Sequence, residues 1–151
     1  MQGGVYSIQI QGHVDNLPHP HVVVLEFDNE CLMIPAFSKG GRDVEERIAL
    51  LTALGFSREV VCVELDNAKH VTWASGRSGK LACWCVWRNY PVPKRIINSA
   101  TCLGRMDVWG LLAIVDCLLR YAAARPEQFA KKRVKKLKEL AERLRATPDC
   151  S

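Results

Sequence analysis

The sequence predicts an α+β domain: a small curled antiparallel β-barrel with helices on one side. Three observations carry that expectation. Between residues 5 and 90, apolar residues recur either at period two or in short β-branched runs. One segment with helical spacing, 40–56, interrupts those runs, and the spacing turns helical for good after residue 107. Strands first and helices last is the pattern of an antiparallel sheet with its helices segregated to one face. A length of 151 residues suits one domain with a core of its own.

The elements follow in order. "GVYSIQIQG" alternates Val5, Ser7 and Gln9 with Tyr6, Ile8 and Ile10, which reads as a half-buried strand. "HVDNLPHP" is a loop of turn formers. "HVVVLEF" and "CLMIPAF" are strands joined by Asp28-Asn29-Glu30 into a hairpin. In "GGRDVEERIALLTALGF", Asp43 is placed to cap a helix over about 43–54, with Glu45 and Glu46 in its first turn and Gly55 after its end. "EVVCVEL" and "ACWCVWRNY" read as strands, with a polar stretch and a short extended piece, His70 to Trp73, between them. "PKRIINSATCLGRM" has no clear period. Asp107 then opens a helix whose apolar face is Val108, Leu111, Leu112, Val115, Leu118 and Leu119. Large aromatics default to packing, so Trp84, Trp87 and Trp109 are all expected in the core. After Pro126 a last helix carries Ala130, Val134, Leu137, Ala141 and Leu144 at 3/4 spacing, a narrow seam that packs back on the domain or pairs with a partner helix. The expected division is a barrel domain over 1–124 and a basic amphipathic helix and tail over 125–151.

Composition removes several classes. The chain is 48% hydrophobic and 25% charged, ordinary for a globular domain. No apolar run nears the ~20 residues of a membrane span, and the start lacks the basic end and apolar stretch of a signal peptide, so a cytoplasmic protein is expected. Seven cysteines, odd in number and irregular in spacing, read as reduced and mostly buried thiols; "CWC" does not match the Cys-x2-Cys pairs of a zinc ribbon. The net charge of +5 comes from one place: the segment 125–145 holds nine basic residues against Glu127, Glu139 and Glu142, while 1–124 is near neutral. A basic face attracts phosphates, and it is also what a solvated helix face commonly looks like.

The order of elements and motifs resembles the PemK/MazF-like toxin family, over roughly residues 3 to 122. "GGVYSIQI" stands for the family's first strand and "HPHVVVL" for its second, with His19-Pro20 where Arg-Pro is usual. "IPAFS" stands for the third strand, so Ser38 falls on the family's hydroxyl position, and "CVELDNAKHVTWAS" is similar to a divergent branch in which the matching histidine is His70. The helix from Asp107 to Tyr121 matches the family's C-terminal helix. The resemblance implies an SH3-like barrel acting as a metal-independent endoribonuclease (an mRNA interferase) on single-stranded RNA. It also implies a cytoplasmic homodimer with an antitoxin partner, in a toxin–antitoxin or defence system, with no cofactor, no metal and no membrane. The sequence departs from the family at the arginine, replaced by His19, and in the helical insertion that follows Ser38.

Metal-free RNA cleavage needs a base for the 2′-hydroxyl, an acid for the leaving oxygen, and donors on the phosphate. Histidine fills either proton role near neutral pH. His19, Ser38 and His70 are therefore the candidate catalytic residues, expected to meet at one barrel rim. His21, Lys69, Trp73, Arg77 and Lys80 are the candidate RNA contacts, Trp73 by stacking on an unpaired base. Each has a plain structural alternative. Alternation places His21 with Val23 and Leu25, which favours packing over catalysis; Ser38 can simply turn the chain before Gly40-Gly41. "SGRSGK" (75–80) lacks phosphate-loop spacing and leads into a strand. The alternative reading is an inactive barrel of the same fold that binds RNA or protein. A metal site using His13, His19, His21 and nearby cysteines is a third.

Overall fold

A computed structural model describes residues 1–9, 17–38, 40–74 and 81–147. It is α+β, with one curled antiparallel sheet and its helices. The strands are β1 (Gly4–Gln9), β2 (Pro18–Glu26), β3 (Glu30–Ser38), β4 (Cys62–Asp66), β5 (Val71–Trp73), β6 (Leu81–Cys85), β7 (Tyr90–Pro93) and β8 (Thr101–Met106). They run in the order β4-β6-β3-β2-β1-β8-β5, with β7 also on β3. The helices are α1 (Arg42–Ala53), α2 (Arg58–Val61), α3 (Asn67–His70), α4 (Lys94–Ser99), α5 (Val108–Ala124) and α6 (Lys131–Ala146).

The curl has visible causes. One edge of β3 serves two neighbours, pairing with β7 over Glu30–Met33 and with β6 over Ala36–Ser38. Pro35, which has no N–H to give a ladder, sits where the edge changes partner. The register also shifts in β1 at Val5/Tyr6 and in the β2–β3 pair at Val23/Leu25, and such irregularities bend a strand and increase its twist. The two sides of the curl bury different clusters. The larger joins Val22, Val24, Leu32, Ile34 and Trp84 to α5 and α6. The smaller, under β7 and α4, holds Ile8, Val23, Met33, Val92 and Ile97.

The hairpin of β2 and β3 turns at the expected place, with Phe27 N–H donating to the Glu30 carbonyl. Asp107 caps α5 through Gly110 N–H at 2.7 Å. The last helix packs back on α5 through Leu137, Leu140 and Ala141. Four local expectations change. Gly41, not Asp43, is the N-cap of α1, and Asp43 lies in the first turn. The first part of "EVVCVEL" is helical, and β4 begins only at Cys62. "ACWCVWRNY" leaves the sheet after Cys85 for a 3-10 turn over Val86–Arg88. The periodless "ATCLGRM" contains β8, which pairs with both β1 and β5. Gly104 in β8 is required by that crossing: a Cβ there would lie 2.3 Å from the Thr72 carbonyl oxygen.

Candidate functional site

His19 and Ser38 occupy one end of the sheet. His19 pairs with Ile8 near the end of β1, and its ring lies 4.4 Å, centroid to centroid, from that of Phe37, the neighbour of Ser38. Ser38 is exposed at the last rung of β3, opposite Ala82.

His21 is two residues further into β2 and is fully buried. Its Nδ1 lies 2.8 Å from the His19 carbonyl, which can only accept, so Nδ1 carries the proton. Nε2 is then the acceptor for the Tyr90 hydroxyl at 2.7 Å. Burial pushes the imidazole down to about 4 and the Tyr90 phenol up to about 12. The expectation that His21 touches RNA is corrected: a neutral, fully enclosed ring locks β2 to β7 and has no path to a ligand.

His70 stands at the other end. Gly3 O accepts from Met106 N–H, Val71 pairs with Met106, and Asp107 N–H donates to the His70 carbonyl. His70 is thus level with Gly3, five residues along β1 from Ile8, the partner of His19. At 3.3 Å per residue this is about 16 Å along the strand, before the crossing of β1 and β8 is added. The expected meeting of His19, Ser38 and His70 at one rim does not occur. The His70 ring instead presents Nδ1 to the Asp107 carboxylate, at 3.2 and 3.1 Å from its two oxygens. Asp107 therefore caps α5 and orients His70 at once, leaving Nε2 as the acceptor nitrogen. Lys69 is exposed beside it. Arg77 and Lys80, the other expected RNA contacts, lie outside the described residues, as does His13.

The Asp107 end of the molecule also holds a groove of about 1090 Å³ between β5, β8, the start of α5 and the end of α6. Trp73, Arg105, Asp107, Trp109, Leu144 and Arg145 line it. Trp73 is half-buried and its indole N–H donates to the Asn67 carbonyl, which fixes the ring. Trp109 is 58% exposed, contrary to the core position expected of it. The buried stripe of α5 runs through Leu111, Ile114, Val115 and Leu118. Trp109 lies off it, about two turns from Asp116 and three from Arg120 on the polar side, a spacing that was available in the sequence. Arg105 makes no ion pair among the described residues, while Arg145 is held by Asp116 at 2.6 Å. The groove thus combines an exposed indole, a second fixed indole and two guanidinium groups, against one carboxylate among the described residues, that of Asp107.

Among the described residues, no three His, Cys, Asp or Glu side chains are grouped to hold a metal ion. Six cysteines there carry no disulfide, and Cys102 alone of them is exposed. Burial pushes the Cys117 thiol up to about 12, where it donates to the Glu59 and Val60 carbonyls. No helix among the described residues is long and apolar enough to cross a membrane. No family model matches the chain, and no curated protein sequence matches it.

Proposed function

We propose that this chain is an RNA-binding module, with an SH3-like barrel of the PemK/MazF-like kind, that holds single-stranded RNA in the groove at the Asp107 end. The observation that carries this reading is the exposed Trp109 in one groove with Trp73, Arg105 and Arg145. Unpaired bases are held by stacking on aromatic rings, and guanidinium groups take the phosphates or stack in turn.

A second reading, metal-independent endoribonuclease, is favoured by one observation. The His70 ring, held by the groove-lining Asp107, has the orientation of an aligned general base, with Nδ1–H on the carboxylate and Nε2 left to accept a proton. Either reading leaves an antitoxin-like protein or a second copy of the chain as a further partner to test for.

The test is a long, mostly unstructured RNA incubated with the protein in EDTA, with binding and 5′ ends both recorded. Binding without cuts, weakened by Trp109→Ala, is the expected result. Discrete cuts lost in His70→Ala establish the nuclease reading. Cuts lost in His19→Ala or Ser38→Ala return activity to the far rim. Absence of both binding and cuts overturns the RNA reading.

A further inference from the structure

We propose that α6 is the phosphate track that leads single-stranded RNA into the groove, an inference that rests on the RNA reading of that groove. The excess positive charge of the chain lies in this segment, with a near-neutral body beside it. Helical spacing sorts its exposed cations into two flanks, with the half-buried Arg133 set apart over the Phe27 ring. Positions 131, 135, 138, 142 and 145 form one row, which reads Lys131, Lys135, Lys138, Glu142 and Arg145, all exposed. Positions 132, 136, 139 and 143 form the other. The second row faces the β2 end, because Lys136 lies 4.5 Å from the centroid of the Phe27 ring. The first row ends at Arg145, which lines the groove.

Lys131, Lys135 and Lys138 make no ion pair among the described residues. The row spans about 21 Å at 1.5 Å per residue, and it terminates where Trp109 and Trp73 line the groove. A strand laid along it meets three ammonium groups, passes Glu142, and reaches Arg145 and the indoles. The lysines then supply sequence-independent, salt-dependent attraction, while the rings supply stacking that salt does not screen. An anionic membrane also attracts a basic helix, but nothing in this row is apolar enough to enter one; the apolar residues between its lysines are the buried Leu137 and half-buried Val134, already packed.

The experiment measures affinity for fluorescent oligouridylate against salt, using the full chain. The wild type is compared with the triple variant Lys131→Gln/Lys135→Gln/Lys138→Gln, the other-flank variant Lys132→Gln/Arg143→Gln, and Trp109→Ala. Each phosphate contact on a single strand contributes roughly 0.7 to the log–log salt slope. The triple variant is expected to flatten the slope by about 2, and the other-flank variant to leave it unchanged. Trp109→Ala is expected to weaken binding roughly tenfold or more at every salt concentration without changing the slope. Unchanged melting curves confirm that the exposed glutamines leave the fold intact. A wild-type slope in the triple variant, with Trp109→Ala still weakening, overturns the track and leaves the groove reading standing. Equal flattening per charge by both flanks overturns it too, since the attraction is then diffuse. No oligouridylate binding by the wild type overturns both readings, and binding to phosphatidylserine vesicles in its place assigns the helix to membranes.

Discussion

His21 and His70 begin from similar sequence settings, each beside the start of a strand, and end in opposite ones. His21 is sealed between β2 and β7, both ring nitrogens engaged within the protein. His70 keeps one nitrogen on Asp107, a residue that lines the groove, and turns the other away from it. The difference is made by what lies across the sheet. Opposite His21 are Tyr6, Pro35 and the Tyr90 ring, which close over it. Opposite His70 the chain breaks into a helix cap, where carboxylate and backbone donors replace packing. A histidine that has been enclosed supports structure, and one that is aligned and keeps a fifth of its side chain exposed is available for chemistry or recognition.

The largest effect that tests this contrast is removal of the enclosed ring. His21→Ala leaves a cavity, an unpaired Tyr90 hydroxyl and an unpaired His19 carbonyl. The expected loss is about 3–5 kcal/mol in urea unfolding. His70→Ala, lacking such enclosure, is expected to cost about 1 kcal/mol. Equal costs for the two variants break the comparison.

The next effect is read through pH. Folded His21 titrates near 4, against 6.5 for an unperturbed histidine. Between those values the unfolded chain binds the proton and the folded chain does not, so stability rises with pH across the window. The contribution is fully present above about 6.5 and is lost as pH falls toward 4, amounting to about 3 kcal/mol in all. Urea midpoints measured from pH 7 down to pH 4.5 are expected to fall steadily. His21→Gln, with its own amide to bridge Tyr90, is expected to lose most of that slope. A flat wild-type profile rejects the enclosure of His21.

Asp107 separates the two jobs at the other end. Asp107→Ala removes both the cap of α5 and the partner of His70, with an expected cost of about 2 kcal/mol. Asp107→Asn keeps a good capping side chain and weakens only the interaction with the imidazole, so its cost is expected to be about 0.5 kcal/mol. If the two variants cost the same, the carboxylate matters to the fold chiefly through His70, and the cap is dispensable.

How much of this was legible follows from the range of each interaction. The β2–β3 hairpin, the Asp107 cap and the α6 seam were readable because turn chemistry, capping and 3/4 spacing are local. Even the packing of His21 could be read, from its alternation with Val23 and Leu25. β8 was not readable: most of Thr101–Met106 is partly or fully exposed, so no apolar period marks it, and its strand state comes from pairing with β1 and β5. The ends of "EVVCVEL" and "ACWCVWRNY" were lost for the same reason, since β propensity is also satisfied in short turns that the tertiary structure imposes. The site was misplaced because register is a long-range property. Nothing local says that His19 and His70 fall at opposite ends of β1, and the size of Trp109 outweighed its position on the polar side of α5.

The smallest expected effect is at Ser38, and it sharpens the contrast most cleanly. Its side chain is exposed at the final rung of β3, and the nearby contact that closes the chain toward α1 runs from Gly41 N–H to the Ser38 carbonyl, at 3.2 Å. That bond is made by backbone, so Ser38→Ala preserves it, and the change in stability is expected to stay within about 0.5 kcal/mol. RNA affinity, measured beside Trp109→Ala, is expected to stay at the wild-type value, because Ser38 shares the His19 end of the sheet and not the groove. A marked loss of RNA binding in Ser38→Ala, with Trp109→Ala near wild type, reverses the assignment. The working surface is then the rim where a hydroxyl and His19 lie beside Phe37, and the indole-lined groove is the one that needs another explanation.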